Sequence, residues 1–247
     1  IDSLSLYSFA EKRIPKTIKA DLEAITTVYD NEQMKLLLIG SGSLQPYRNT
    51  GWIFDPVTKS VDSLRLDTFY RRLALQGIDE INIEGACSMP GLTILSNRGN
   101  KNYPKNFLVF TKQGFWKNQS QAPITVIRIG VNADSSVFNG VSGMDYASKS
   151  DKLILTVSTE DTRNSMDDGA IGKSYLWIIN DISAKRNWKA INPNKIIDLE
   201  TIDQRFTGQK IESVCVIKEA KKNLHLVLAA DNDNGSSTLF KMQVEKY

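Results

Sequence analysis

Three carboxylates in this 247-residue chain occupy the same place in a recurring phrase: an apolar residue, a glutamate, then a small residue. The phrase reads Leu22-Glu23-Ala24, Ile83-Glu84-Gly85 and Ile211-Glu212-Ser213, and once Val141-Ser142-Gly143 with serine in the acidic place. A carboxylate inside an apolar run must be hydrogen-bonded, paired with a cation or protonated, because an isolated buried charge is too costly to keep. Gathered together, three could hold a hard cation such as Ca²⁺ through oxygen ligands, neutralise arginines, or move protons in a hydrolysis. Two readings stay open on the residues alone. Each Glu accepts hydrogen bonds from neighbouring backbone N–H groups and fastens the structure, or the group binds a ligand or an ion.

The elements that carry these residues are short. Runs such as "KLLLIG", "LTILS", "KLILTVS" and "LHLVLAA" are β-branched or alternating, and Gly, Asn, Asp, Ser and Pro clusters separate them. That pattern marks many antiparallel strands, so the fold class is all-β. One helix is expected at "DTFYRRLALQG", with Asp67 as its cap, Phe69, Leu73 and Gln76 along one side and Gly77 as its stop.

The phrase repeats at steps of 61, 58 and 70 residues, and each unit holds a first strand, a second ending in a polar cluster, and a third. "SVDSLRL", "ITVIRIGV" and "NKIIDLE" supply a fourth strand to the first three units. Four-stranded units of this length bury their faces by radial repetition, which predicts a β-propeller over 1–247 as a single domain. A β-sandwich is the alternative, but it does not predict a four-strand repeat. The stretch "IDSLSLYSFAEKRIP" is a strand without a unit in front of it. It would complete the last blade or end an incomplete N-terminal blade, and the second is favoured, giving five blades, because four make the smallest closure. Residue 1 is Ile, so something upstream is expected to have been processed or left out.

In an antiparallel pair the head of one strand lies beside the end of the next. Glu23 should therefore meet Gly40–Ser43, Glu84 should meet Asn97 and Arg98, Ser142 should meet Glu160 and Asp161, and Glu212 should meet Asp231 and Asp233. First strands are innermost in a propeller, so these heads converge on one end of the axis. Carboxylates about 6 Å apart repel by roughly 3 kcal/mol per pair at an effective dielectric near 20, so partners are required. Arg48, Arg98 and Arg163 are the expected cations, and Glu23, Glu84 and Glu212 are the candidate Ca²⁺ ligands. Asp168 joins the face from the long loop around 161–170. Cys87 and Cys215, each three residues after its Glu, should turn away from the carboxylates into packing, too far apart for a disulfide.

Other features exclude functions. The 31 Lys and Arg against 28 Asp and Glu are scattered, which gives no nucleic-acid footprint, and no run is long enough to cross a bilayer. "DDGAIGKS" lacks the first glycine of a phosphate loop and precedes a strand. "DNDNGSS" has its glycine one place early for a calcium loop. The one histidine, His225, falls at the strand end opposite the carboxylates, and no G-x-S-x-G elbow occurs.

The segments "ADLEA", "GSGSLQPYRN", "NIEGA", "SNRGN", "VSGMDY", "TEDTRNSMDDG" and "KIESV…AADNDNGSS" together resemble the signature segments of an uncharacterised bacterial propeller-like family, distantly similar to the esterase-like phytase propellers. The resemblance spans about residues 19 to 240 and departs at Ser142. It implies an exported or envelope-associated bacterial protein, periplasmic, lipoprotein-anchored or secreted. The expected function is binding of a small charged or carbohydrate ligand, or an envelope component, by a monomer. The alternatives are a Ca²⁺-assisted phosphoesterase or esterase-like hydrolase and a protein-interaction scaffold.

Overall fold

The computed structural model describes residues 14–30, 32–130, 138–160, 163–164, 171–232 and 235–246. Among them are four sheets arranged in a ring as a β-propeller. The first is β1 (Leu22–Asp30), β2 (Gln33–Gly40), β3 (Thr50–Phe54) and β4 (Val61–Arg65), paired in that order. After helix α1 (Asp67–Leu75) come β5 (Ile83–Met89), β6 (Leu92–Asn97), β7 (Asn106–Lys112) and β8 (Thr125–Ile129). The third sheet is β9 (Asn139–Ala147), β10 (Lys152–Glu160), β11 (Ile171–Asn180) and, beyond β12 (Ala190–Ile191), β13 (Lys195–Asp198). The two residues of β12 instead pair parallel with β8, lacing the third unit to the second sheet. A short helix, α2 (Leu199–Ile202), precedes β14 (Ile211–Glu219), β15 (Asn223–Asp231) and β16 (Ser237–Glu245), a sheet of three strands.

The repeat therefore folds as its phrases predict. Of the leftover strand at 1–15, Ile14 and Pro15 lie in no strand and the rest falls outside the described residues, as does any fifth blade it would belong to. Helix α1 departs in detail: Asp67 is its first residue rather than its cap, and its carboxylate accepts from Arg65 and Asn49. Phe69, Tyr70 and Leu73 are the buried side chains of α1, while Gln76 is exposed beyond its end. The Tyr70 hydroxyl donates to the Gly40 carbonyl at 2.5 Å, pinning the helix to the end of β2.

Three apolar clusters hold the four sheets together. Val28, Leu37 and Ile53 of the first sheet meet Ala86, Leu95 and Val109 of the second. Ile94 and Leu108 meet Val141, Leu155 and Trp177, and Ile154 and Leu176 meet Val214, Leu226 and Leu228. Each fully buried side chain of this size stabilises by roughly 1.5–3 kcal/mol. Inner strands β1 and β5, β5 and β9, and β9 and β14 lie side by side, whereas β1 and β14 do not pack together in the same way. Ile25 and Tyr29 of β1, and Ile217 and Leu239 of the fourth sheet, are correspondingly exposed.

The small residue of the phrase has a packing reason. A Cβ on Gly143 would stand 2.4 Å from the Glu212 carbonyl oxygen, and one on Gly85 would stand 3.2 Å from the Gly143 carbonyl carbon. The inner strands approach so closely that a side chain there has no room. Cys87 is buried between the second and third sheets as expected. Cys215 is not: it is exposed, because among the described residues no sheet covers the side of the fourth sheet it faces. Both thiols are free.

Candidate functional site: a ring of bulged carboxylates

The recurring Glu or Ser is the extra residue of a β-bulge in all four sheets. Leu22 and Ala24 pair with successive residues Gly40 and Ile39, leaving Glu23 unpaired. The same skip isolates Glu84 between Ile83 and Gly85, Ser142 between Val141 and Gly143, and Glu212 between Ile211 and Ser213. A bulge inserts one residue, bends the strand and re-aims that side chain. This is how a carboxylate sits inside an apolar run without entering the inter-sheet core.

The three bulged carboxylates come together. Glu23 feels the charges of Glu84, Asp21 and Glu212, and burial together with this repulsion holds its carboxyl well above the usual carboxylate range. Burial likewise pushes Glu84 up to about 7, with Glu212 adding repulsion against the attraction of Arg98 and Lys210. Glu212 is raised too, by burial, less the pull of Lys210. Ser142 differs because its strand begins earlier, at Asn139. Its hydroxyl donates to the Ile211 carbonyl at 2.7 Å, and it lies opposite Thr156 and Val157 rather than beside Glu160.

A chain of opposite charges crosses three sheets. The Arg98 guanidinium, just past β6, lies 3.9 Å from Glu84 and donates at 2.6 Å to Glu160 at the end of β10, with Ser158 also in reach. Lys210, just before β14, lies 3.6 Å from Glu160 and 2.9 Å from Glu212. Glu160 is thus gripped from both neighbouring sheets. A Cβ on Gly140 would meet Arg98 Nε at 2.4 Å, so that glycine clears the guanidinium's path.

Several expected ligand-binding residues serve this framework. Arg48 is buried and pairs with Asp21 at 2.5 Å rather than with Glu23, and it also donates to Ser43 and to the Lys16 carbonyl. Asn97 accepts from the Asn82 backbone and donates to the Glu80 and Arg98 carbonyls, so its amide is consumed internally. Arg163 is exposed. Asp231 is exposed near Glu212. Asp161, Asp168 and Asp233 lie outside the described residues. Glu23 stands apart: the nearby cations Lys19 and Arg48 are both tied to Asp21, Lys19 lends Glu23 only an attraction that ranks last among the effects on it, and no hydrogen bond or ion pair of its own occurs among the described residues.

Asp21, Asn82 and Lys210 escaped the sequence reading, yet one signal marks them. Each is the polar residue two places before a bulged Glu, and Gly140 holds that place before Ser142. Asn82 donates to Glu84 at 2.7 Å. Among the described residues no three His, Cys, Asp or Glu side chains are grouped as a metal ion requires.

Ringed sheets with bulged inner strands and an axial cluster of acids define the class, a β-propeller. The chain belongs to a family of unknown function, DUF6929, whose model matches residues 2–244. A comparison with curated proteins finds no match.

Proposed function

We propose that the protein is a binding propeller whose axial carboxylates take up a small ligand carrying a cationic group, with Glu23 as the principal contact. The observation that supports this is the asymmetry of the ring: Glu84 and Glu212 are engaged by Arg98, Asn82 and Lys210, while Glu23 is not. A cation beside Glu23 offsets the repulsion of Glu84, Asp21 and Glu212 and so favours the ionised carboxylate. Carbohydrate hydroxyls and Ca²⁺ are the competing occupants. Calorimetric titration with spermidine, neutral monosaccharides and Ca²⁺ in turn separates them. Spermidine should bind at pH 8 and weaken towards pH 5 as the carboxyls take protons, and Glu23→Gln should weaken it at least tenfold without lowering the melting temperature. Heat from the sugar or Ca²⁺ alone, or an undiminished Glu23→Gln titration, refutes the assignment. Placement in a bacterial envelope, periplasmic, lipoprotein-anchored or secreted, belongs to the same proposal and draws its support from the family resemblance. Fractionation of cells producing the full-length protein tests it.

One observation favours a second reading, hydrolysis. A glutamic acid near 7 is poised as a general acid at neutral pH, and Glu84 has that character. Glycoside and phosphate-ester substrates turned over by the protein, with loss in Glu84→Gln but not in a surface variant, would establish it over simple binding.

A further inference from the structure

The opposite end of the third and fourth sheets has a different chemistry. Its turns join β9 to β10 and β14 to β15, and the segment after β11 folds back against them. Lys149 comes from the first turn and Lys152 from the start of β10, Lys221 and Lys222 from the second turn, and Lys246 from the chain beyond β16. Hydrogen bonds hold these pieces at one end: Glu219 accepts from the Lys149 backbone and the Ser150 hydroxyl and pairs with Lys246 at 3.4 Å. Ser183, in a 3-10 helix at Ile182–Lys185, donates to Asp151, and Lys152 donates to Asn180. The Lys152 ammonium is lowered by burial first, against the attraction of Asp181, and Lys246 and Lys195 are close enough to add repulsion.

The residues after that 3-10 helix read Arg186-Asn187-Trp188-Lys189, all exposed. Trp188 is 53% exposed, while Trp52, Trp116 and Trp177 are buried. Its ring carries the Lys185 ammonium 5.5 Å from its centroid. Ile196, beside Lys195 on β13, is also exposed. Among the described residues four acids share this end: Glu219 and Asp151 have their oxygens in turn hydrogen bonds, while Asp181 and Glu245 are exposed and are outnumbered by Lys149, Arg186, Lys189, Lys195, Lys221 and Lys222.

We propose that this basic, tryptophan-bearing end is a docking surface for an anionic lipid bilayer. Lysines at the tips of turns reach a flat array of phosphates without needing a groove, and each contributes through the surface potential of acidic lipid. An exposed indole among them suits the headgroup layer, where an apolar ring with a polar N–H is at home. Nucleic-acid binding would ask for a basic groove that tracks a backbone, with aromatic platforms along it. Trp188 is the one exposed tryptophan, and a single ring is not a row of platforms. Docking this way turns the carboxylate ring away from the lipid, so the two sites would be open at once.

Vesicle co-sedimentation of the whole protein tests the proposal, with phosphatidylglycerol-containing vesicles against pure phosphatidylcholine. Binding to the acidic vesicles alone is expected, falling as salt rises. Trp188 emission should shift blue and be quenched by brominated lipid. The combined Lys189→Gln, Lys221→Gln and Lys222→Gln variant should lose about 100-fold in partitioning, at about fivefold per lysine. These side chains are exposed, so an unchanged melting curve is the control for folding. Absence of binding to acidic vesicles at low salt, or equal binding by the triple variant, overturns the proposal. So does tighter, lysine-dependent binding of duplex DNA run in parallel, which would assign the surface to nucleic acid.

Discussion

Replacing Glu84 by Gln should make the protein more stable at pH 8 and leave it nearly unchanged at pH 5. The Glu84 carboxyl titrates near 7 in the fold against 4.5 in an ordinary setting. Below 4.5 both states hold the proton and nothing is lost. Between the two values the native state keeps a proton that the unfolded chain gives up, so stability falls as pH rises, and above 7 the whole cost is present. A difference of about 2.5, at 1.36 kcal/mol per pH unit, makes that cost about 3 kcal/mol. Gln removes the charge at every pH and retains an oxygen for Asn82. The attraction of Arg98, 3.9 Å away, is already contained in that cost, and Arg98 keeps its shorter bond to Glu160. The net gain at pH 8 is therefore about 1–3 kcal/mol, or about 2–10 °C in melting temperature for a chain of this size. Urea denaturation of wild type and variant at both pH values measures it. A variant no more stable at pH 8, or one that gains equally at pH 5, would refute the account of a strained, ionised carboxylate.

Arg98→Ala should cost about 3–5 kcal/mol, because it leaves Glu160 buried without its closest cation, and adding Glu160→Gln should recover part of that in chemical denaturation. Gly143→Ala should destabilise by about 1–3 kcal/mol through overpacking against the Glu212 carbonyl, whereas the same change at Gly91, where nothing stands within 4 Å, should cost only what its positive φ imposes. With a thiol reagent in mild alkali, one cysteine, Cys215, should react in the native state and Cys87 only on unfolding. Two equivalent reactive thiols would show that the second and third sheets do not seal Cys87.

Strand order and repeat were readable because each strand alternates or is uniformly apolar, and because "LEA", "IEG", "VSG" and "IES" sit at matching places. What could not be read was the bulge. A period-two pattern counts every residue as paired, so parity carried through Glu84 or Glu212 says nothing certain about the side Cys87 or Cys215 faces. Convergence of Glu23, Glu84 and Glu212 followed from strand order alone, since heads of inner strands must meet at the axis. Their partners did not, because Lys210 and Asp21 precede their strands and Arg98 reaches to the next sheet. Long side chains choose partners by reach across sheets, which a linear sequence does not display. Ser142 shows the same limit: the phrase matches, but β9 begins two residues earlier than its counterparts, so its neighbours are different.

Four sheets joined by three apolar clusters make a structure whose members are unequally secured. Among the described residues the second and third sheets are clasped on both sides, and the first and fourth on one side each. In such an array stability is nearly a sum of neighbour terms, and loosening starts where a neighbour is missing. Backbone amides of β6 and β10 should therefore exchange with solvent only on global opening, while those of β2 and β15 exchange through smaller, cheaper openings. Glu23 and Glu212 ride on the two sheets that open first, so anything that draws them together at the axis would act as a clasp, slowing exchange in both terminal sheets at once.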